Sequence, residues 1–209
     1  PVLPAANQEV RVVARVEDPD GIGSVTLRWR RDTTTNLTDL AMTDNGGGWF
    51  SAVLPPQPSA ALVAFHVAAT DGSDAPASSL FPNTAPVREC LVRWGEAQGN
   101  VALGPYRIWA TRDTINTWSR REKLSNDPLD STFVVGNYRV IYNAGFRDKG
   151  SPFHGGGGDY AVTVPEDDIL LGASDRVFGS TGNGGSESTG LRGRVSAWIA
   201  QQLGIPYLY

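Results

Sequence analysis

At 209 residues, with 40% hydrophobic and 19% charged side chains, the chain has room for one large or two ordinary soluble domains. Its net charge of −4 is uneven: residues 1–99 hold 7 basic and 11 acidic side chains, and residues 100–209 hold 11 of each. Neither half has the basic excess that a nucleic-acid backbone calls for, and no apolar run is long enough to span a bilayer. The single cysteine, Cys90, leaves no intrachain disulfide and no cysteine metal site, and it does not decide the compartment. Only Lys123 and Lys149 are available to a mechanism that needs lysine. A first residue of Pro1 and an apolar ending, Gly204 to Tyr209, lead us to expect a piece of a longer polypeptide.

In the first half, Val10 to Val16 alternates, with Val10, Val12, Ala14 and Val16 on one face and Arg11 and Arg15 on the other, which predicts a half-buried antiparallel strand. Glu17 to Gly21 is a turn, because proline fixes φ, aspartate bonds its own backbone and glycine accepts positive φ. Ser24 to Arg30 alternates again, with Val25, Leu27 and Trp29 inward. A short strand is predicted over Leu37 to Thr43, a turn over Asp44 to Gly48, and further strands over Trp49 to Leu54 and Leu62 to Thr70. Arg88 to Trp94 reads either as a last strand or as the exit to a second domain. Short strands separated by turn signals every 8–12 residues predict a β-sandwich over residues 1–98. The stretches VRVVARVEDPDGIGSVTLRWRRD, MTDNGGGWFSAVLP and ALVAFHVAATDG resemble the Ig-like or fibronectin type III-like module of large bacterial surface and secreted proteins. That resemblance implies a spacer and no chemistry.

Two features of this half bear on function. Asp18, Asp20 and Asp44, with Asp71, supply oxygen ligands to Ca²⁺ if their loops meet at one end of the sandwich; the simpler reading has each aspartate making its own turn. His66 shares a strand face with Ala64 and Ala68, opposite Phe65, and is expected to be exposed.

In the second half, Tyr106 to Trp109 predicts a short strand, and Thr111 to Thr114 opens a helix with a plausible cap. Ile115, Trp118 and Leu124 give that helix an apolar side, and Arg120 and Arg121 a wet one. The stretch Phe133 to Asp168 reads as two strands, Asn137 to Ala144 and Tyr160 to Val164, joined by a loop holding Lys149, His154 and four consecutive glycines. Such a connection brings backbone N–H groups close to an anion, although a plain surface loop has the same composition. Pro165 to Asp168 is read as a solvated turn and residues 179–188 as a loop. Leu191, Val195, Trp198, Ile199 and Leu203 recur at helical spacing, and Gly204 and Pro206 end the helix. No G-x-S-x-G elbow surrounds a serine, the two histidines lack His or Cys companions for zinc, and nothing fixes a carboxylate separation for a glycosidase using Glu166 and Asp159.

The segments YRIWATRDTINTWSRREKLSNDPLDSTFVVGNYRVIYNAGFRDKGSPF, DYAVTVPEDDILLGASD and LRGRVSAWIAQQLGIPYLY resemble the N-terminal part of the CotH family, named for a spore-coat protein H and described as secreted atypical kinases. The resemblance covers Tyr106 to Tyr209 and is closest to the variant of long exported bacterial proteins, in which such a segment follows an Ig-like module. It implies a kinase-like small lobe that holds ATP with Mg²⁺ for phosphoryl transfer to Ser or Thr. It also implies that Arg147, Lys149 and Ser151, in the loop RDKGSPF, and Arg192, in the last helix, touch phosphate. Where many members carry a lysine pair this chain has Gly157, Gly158 and Asp159, and the family's catalytic and metal-binding acids fall beyond Tyr209.

The expected architecture is therefore mainly β, a sandwich over 1–98 followed by a partial kinase-like small lobe, a strand pair plus helices, over 99–209. The expected function is that of a non-catalytic fragment of a secreted or cell-surface bacterial CotH-like protein, whose full-length form is an atypical Ser/Thr protein kinase. The alternative is a non-catalytic adhesion or carbohydrate-binding module with a protein or cell-surface glycan as partner. ATP with Mg²⁺ in the full-length form and Ca²⁺ in the first module are the expected cofactors; nucleic acid and a membrane span are not expected.

Overall fold

The computed structural model describes residues 2–97, 105–122, 125–149, 160–178 and 191–205, the side chains of 191–194 excepted. Apolar alternation builds the first half. Strand β1 (Val10–Arg15) pairs antiparallel with β5 (Trp49–Leu54), which also pairs with the two-residue β4 (Thr43–Asp44). Facing this small sheet is a larger antiparallel one in the order β3 (Thr38–Ala41), β2 (Ile22–Arg31), β6 (Leu62–Asp71), β7 (Ser78–Phe81), with β8 (Cys90–Arg93) also on β6. Inward side chains of both sheets, among them Val10, Leu27, Leu54, Phe65 and Trp94, form one sandwich core. The predicted strand Leu37 to Thr43 divides between the two sheets. The chain crosses at Met42, whose N–H donates to Val25 O (2.9 Å) while its side chain enters the core. Arg88 to Trp94 is settled as a last strand, β8.

The second half is a five-stranded antiparallel sheet in the order β13 (Asp175–Phe178), β12 (Tyr160–Thr163), β11 (Arg139–Asp148), β10 (Leu129–Val135), β9 (Tyr106–Trp109). Helix α1 (Arg112–Arg120) lies between β9 and β10 in sequence, and α2 (Leu191–Gln202) follows β13. Strands β10 and β11 form a hairpin through Gly136, whose φ of +56° suits glycine. The predicted strand Asn137 to Ala144 thus runs on to Asp148. Its alternation breaks where the pairing shifts from Phe133↔Ile141 to Ser131↔Ala144, which leaves Tyr142 and Asn143 opposite Thr132. Asn143 takes the left-handed conformation (φ 54°), in which asparagine is enriched, and this bulge turns two consecutive side chains toward the sandwich.

The two halves pack face to face. Strand β8 sits over β10, and Leu3, Ala64 and Leu91 from the first half bury Trp109 and Val134 from the second. Tyr142 enters the sandwich core and meets Phe65 edge-on, with ring centroids 5.6 Å apart. A polar seam borders this contact. Leu91 N donates to Thr132 Oγ1 (2.9 Å), Glu89 N to Asp130 Oδ2 (3.0 Å), Arg88 Nη1 to Asn143 Oδ1 (2.9 Å) and Trp109 Nε1 to Glu96 Oε2 (2.9 Å). Arg30 grips Glu89 through Nε and Nη2 as a fork.

This packing corrects the expectation for His66. It is buried, 2% exposed, because the face of β6 that it shares with Ala64 is covered by the seam and not by water. Its Nδ1 finds no hydrogen-bond partner, and burial lowers its pKa.

Candidate functional site

The sheet of the second half has two dissimilar faces. Alternation on β10 sends Asp130, Thr132 and Val134 toward the sandwich and Leu129, Phe133 and Val135 the other way. Ile108, Phe146, Val162, Tyr160 and Phe178 join this outer face. Helix α1 closes one end of it. Thr111 Oγ1 accepts from Thr114 N (3.2 Å) as the predicted cap, and Ile115 and Trp118 turn onto the sheet. The result is an open cavity of about 610 Å³ lined by Tyr106, Phe133, Trp118, Phe146, Tyr160 and Phe178 with aliphatic neighbours. Tyr106 stacks on Phe133 with centroids 5.7 Å apart, and Trp118 lies 6.1 Å from Phe146 and 6.2 Å from Tyr160. Such a surface can hold a flat or apolar ring by stacking. A polar group at its edge is Asp148, whose Oδ2 accepts from Trp118 Nε1 (3.0 Å).

The residues expected to meet phosphate begin at the same end of the sheet. Strand pairing puts Phe146 opposite Val162 and Asp148 opposite Tyr160 on the aromatic face, so Arg147, opposite Ala161, belongs to the other face. Arg147 is half-buried and its Nη1 donates to Asp148 O (3.2 Å). Lys149 is exposed directly after β11. Ser151 and the four-glycine run lie outside the described residues, as do Leu124 and Lys123; Arg192 is in α2, with its side chain outside them.

The aspartates expected to hold Ca²⁺ act locally. Asp18 Oδ1 accepts from Asp20 N (2.8 Å), and Asp44 Oδ1 accepts from Gly46 N (2.7 Å). Among the described residues no group of three or more His, Cys, Asp or Glu side chains is placed to hold a metal ion, so Asp18, Asp20 and Asp44 are not brought together as one site. Among the described side chains of α2 and the residue after it, Trp198 is 60% exposed and Val195, Ile199 and Leu203 are also exposed, while Ala197 is buried.

Sequence reasoning missed the aromatic face because each of five strands supplies one of its rings, from Tyr106 to Phe178, and α1 adds Trp118. The signal available was an apolar residue recurring on one face, as Tyr160 and Val162 do in β12; in β10 it is interrupted by Ser131 and obscured by Val134 on the opposite face.

No protein-family model matches the chain, and no curated protein matches it.

Proposed function

We propose that the chain is the small-lobe portion of a CotH-type phosphotransferase, carried by an Ig-like spacer in a secreted or surface-bound bacterial polypeptide. The observation that supports this reading is the open aromatic face of an antiparallel sheet whose opposite face is already covered by the sandwich. A contiguous apolar surface of this kind on a folded chain is an interaction surface. The base of a nucleotide stacks there in this reading, and the lobe that completes the enzyme covers the rest, together with the exposed apolar side chains of α2. Lys149, Arg147, Ser151 and Arg192 are the groups assigned to phosphate, and Mg²⁺, when bound, screens the phosphate charge. No catalytic residue is assigned to this chain.

Titration of the 209-residue chain with Mg²⁺-ATP tests the proposal, read through the Trp118 indole N–H resonance. A saturable shift that weakens at least tenfold in Lys149→Met supports it. An unmoved resonance at millimolar nucleotide refutes it.

One observation favours a second reading, a non-catalytic carbohydrate-binding or adhesion module. The charged group that meets Trp118 at the edge of the aromatic cavity is a carboxylate, Asp148; strand alternation sends Arg147 to the opposite face, and the arginines that share the outer face are engaged elsewhere, Arg139 with Asp168 and Arg176 with the carbonyls of Leu170 and Leu171. Stacked rings with a carboxylate to accept hydroxyl protons suit a sugar better than a phosphate. The same resonance responding to oligosaccharides on a glycan panel, and not to Mg²⁺-ATP, selects this reading.

A further inference from the structure

The sandwich is open along one side. Between the edge of β1 and the edge of β7 runs a groove of about 440 Å³, walled by residues 12–17 and by Leu80 and Phe81, with Phe65, Val67, Cys90 and Tyr142 at its floor. Both bordering strands are sheet edges: among the described residues β1 pairs with β5 alone, and β7 with β6 alone. The direction of the free backbone groups on β1 follows from its register. Val16 N donates to Gly48 O (2.8 Å), and the pairing Val10↔Leu54 to Arg15↔Trp49 is continuous with it. In an antiparallel ladder the hydrogen-bonded pairs alternate, so residues 10, 12 and 14 point their N–H and C=O at β5. Arg11, Val13 and Arg15 point theirs away, along the groove.

We propose that this groove is a strand-acceptor site whose occupant is an extended peptide segment of five or six residues, apolar at alternate positions and acidic between them. Each feature of the occupant has its own cause. Unsatisfied donors and acceptors at every second residue of β1 are matched by an extended backbone and not by a helix or a small molecule. Residues 12–17 span about 20 Å as a strand, which sets the length. Inward side chains of the added strand meet Phe65, Val67 and Tyr142 and must be apolar. Outward ones become cross-strand neighbours of Arg11 and Arg15, both exposed, and a carboxylate is favoured there. Arg15 already reaches Glu17 and lies 5.9 Å over Trp49, so Arg11 is the freer cation.

The probe is an N-acetylated hexapeptide alternating valine and glutamate, with a control of the same composition in two blocks. The alternating peptide is expected to bind at least tenfold more tightly than the control and to slow amide exchange at Arg11, Val13 and Arg15 at least tenfold, leaving Val12 and Ala14 unchanged. Val13→Pro removes an outward N–H without touching the β1–β5 ladder, a position where an edge strand accepts proline. It is expected to keep the fold and lose peptide affinity at least tenfold. Should that variant not fold, the exchange pattern of the native chain decides alone. Equal binding of the two peptides, no binding at millimolar concentration, protection elsewhere, or full affinity in Val13→Pro overturns the proposal. Concentration-dependent self-association that protects the same three amides also overturns it, by giving the groove to a second copy.

Discussion

Asp130 lies in the seam with one oxygen bonded to Glu89 N–H and the other, Oδ1, without a hydrogen-bond partner. Burial raises its pKa from 3.8 to about 6, against the pull of the Glu89 N–H and of Arg88. The folded pKa lies above the unfolded one, so the native state is favoured by protonation: the gain is complete below pH 3.8 and lost as pH rises through 6. His66 acts in the opposite sense, because its lowered pKa makes the native state resist protonation as pH falls through 6.5. Asp130→Asn keeps an acceptor for Glu89 N–H and removes the charge. It is expected to stabilise the protein by about 3 kcal/mol at pH 7.5, which is what a rise from 3.8 to about 6 is worth at 1.36 kcal/mol per pKa unit. Urea denaturation should show that advantage closing toward pH 4, with the His66 contribution cancelling between the two proteins. An advantage independent of pH contradicts this account.

Helix α1 is nine residues long, too short to persist by propensity, and its start is held from two directions. Thr111 caps it locally, and Asp32, on the loop after β2, accepts from Arg112 N with both carboxylate oxygens at 3.1 Å. A carboxylate at a helix N-terminus satisfies free N–H groups and complements the dipole. Thr111→Ala and Asp32→Ala are each expected to cost about 1 kcal/mol and to speed amide exchange across α1, with Asp32→Ala doing so from the other half of the molecule. The two supports differ in legibility. A threonine three residues before its partner is visible in a one-dimensional pattern; a carboxylate 80 residues away is not. The same contrast explains β11. Its first residues alternate as read, but the bulge at Tyr142 and Asn143 exists because Thr132 and Arg88 claim partners across the seam.

At the scale of the molecule, β1 was legible because it has one wet face, with Arg11 and Arg15 opposite Val10 and Val12. The covering of the sandwich's outer face was not, and His66 shows why: alanines beside it look like a solvated face and are also what lets another sheet approach. Lys149 stood out as one of two lysines, whereas the aromatic face beside it emerges only once five strands are in register. If the seam joins the halves as tightly as its buried contacts indicate, they unfold together. Leu91 is fully buried between Ala64, Trp109 and Val134, and its own N–H donates across the seam. Leu91→Ala opens a cavity there and is expected to cost about 2–5 kcal/mol. Because the cavity belongs to both halves, exchange-protected amides of β5 and of β12 should lose protection at the same, lowered denaturant concentration. Two separate transitions, with only the β5 amides moved by the substitution, would mean that the halves are independent units and that the seam transmits nothing from one to the other.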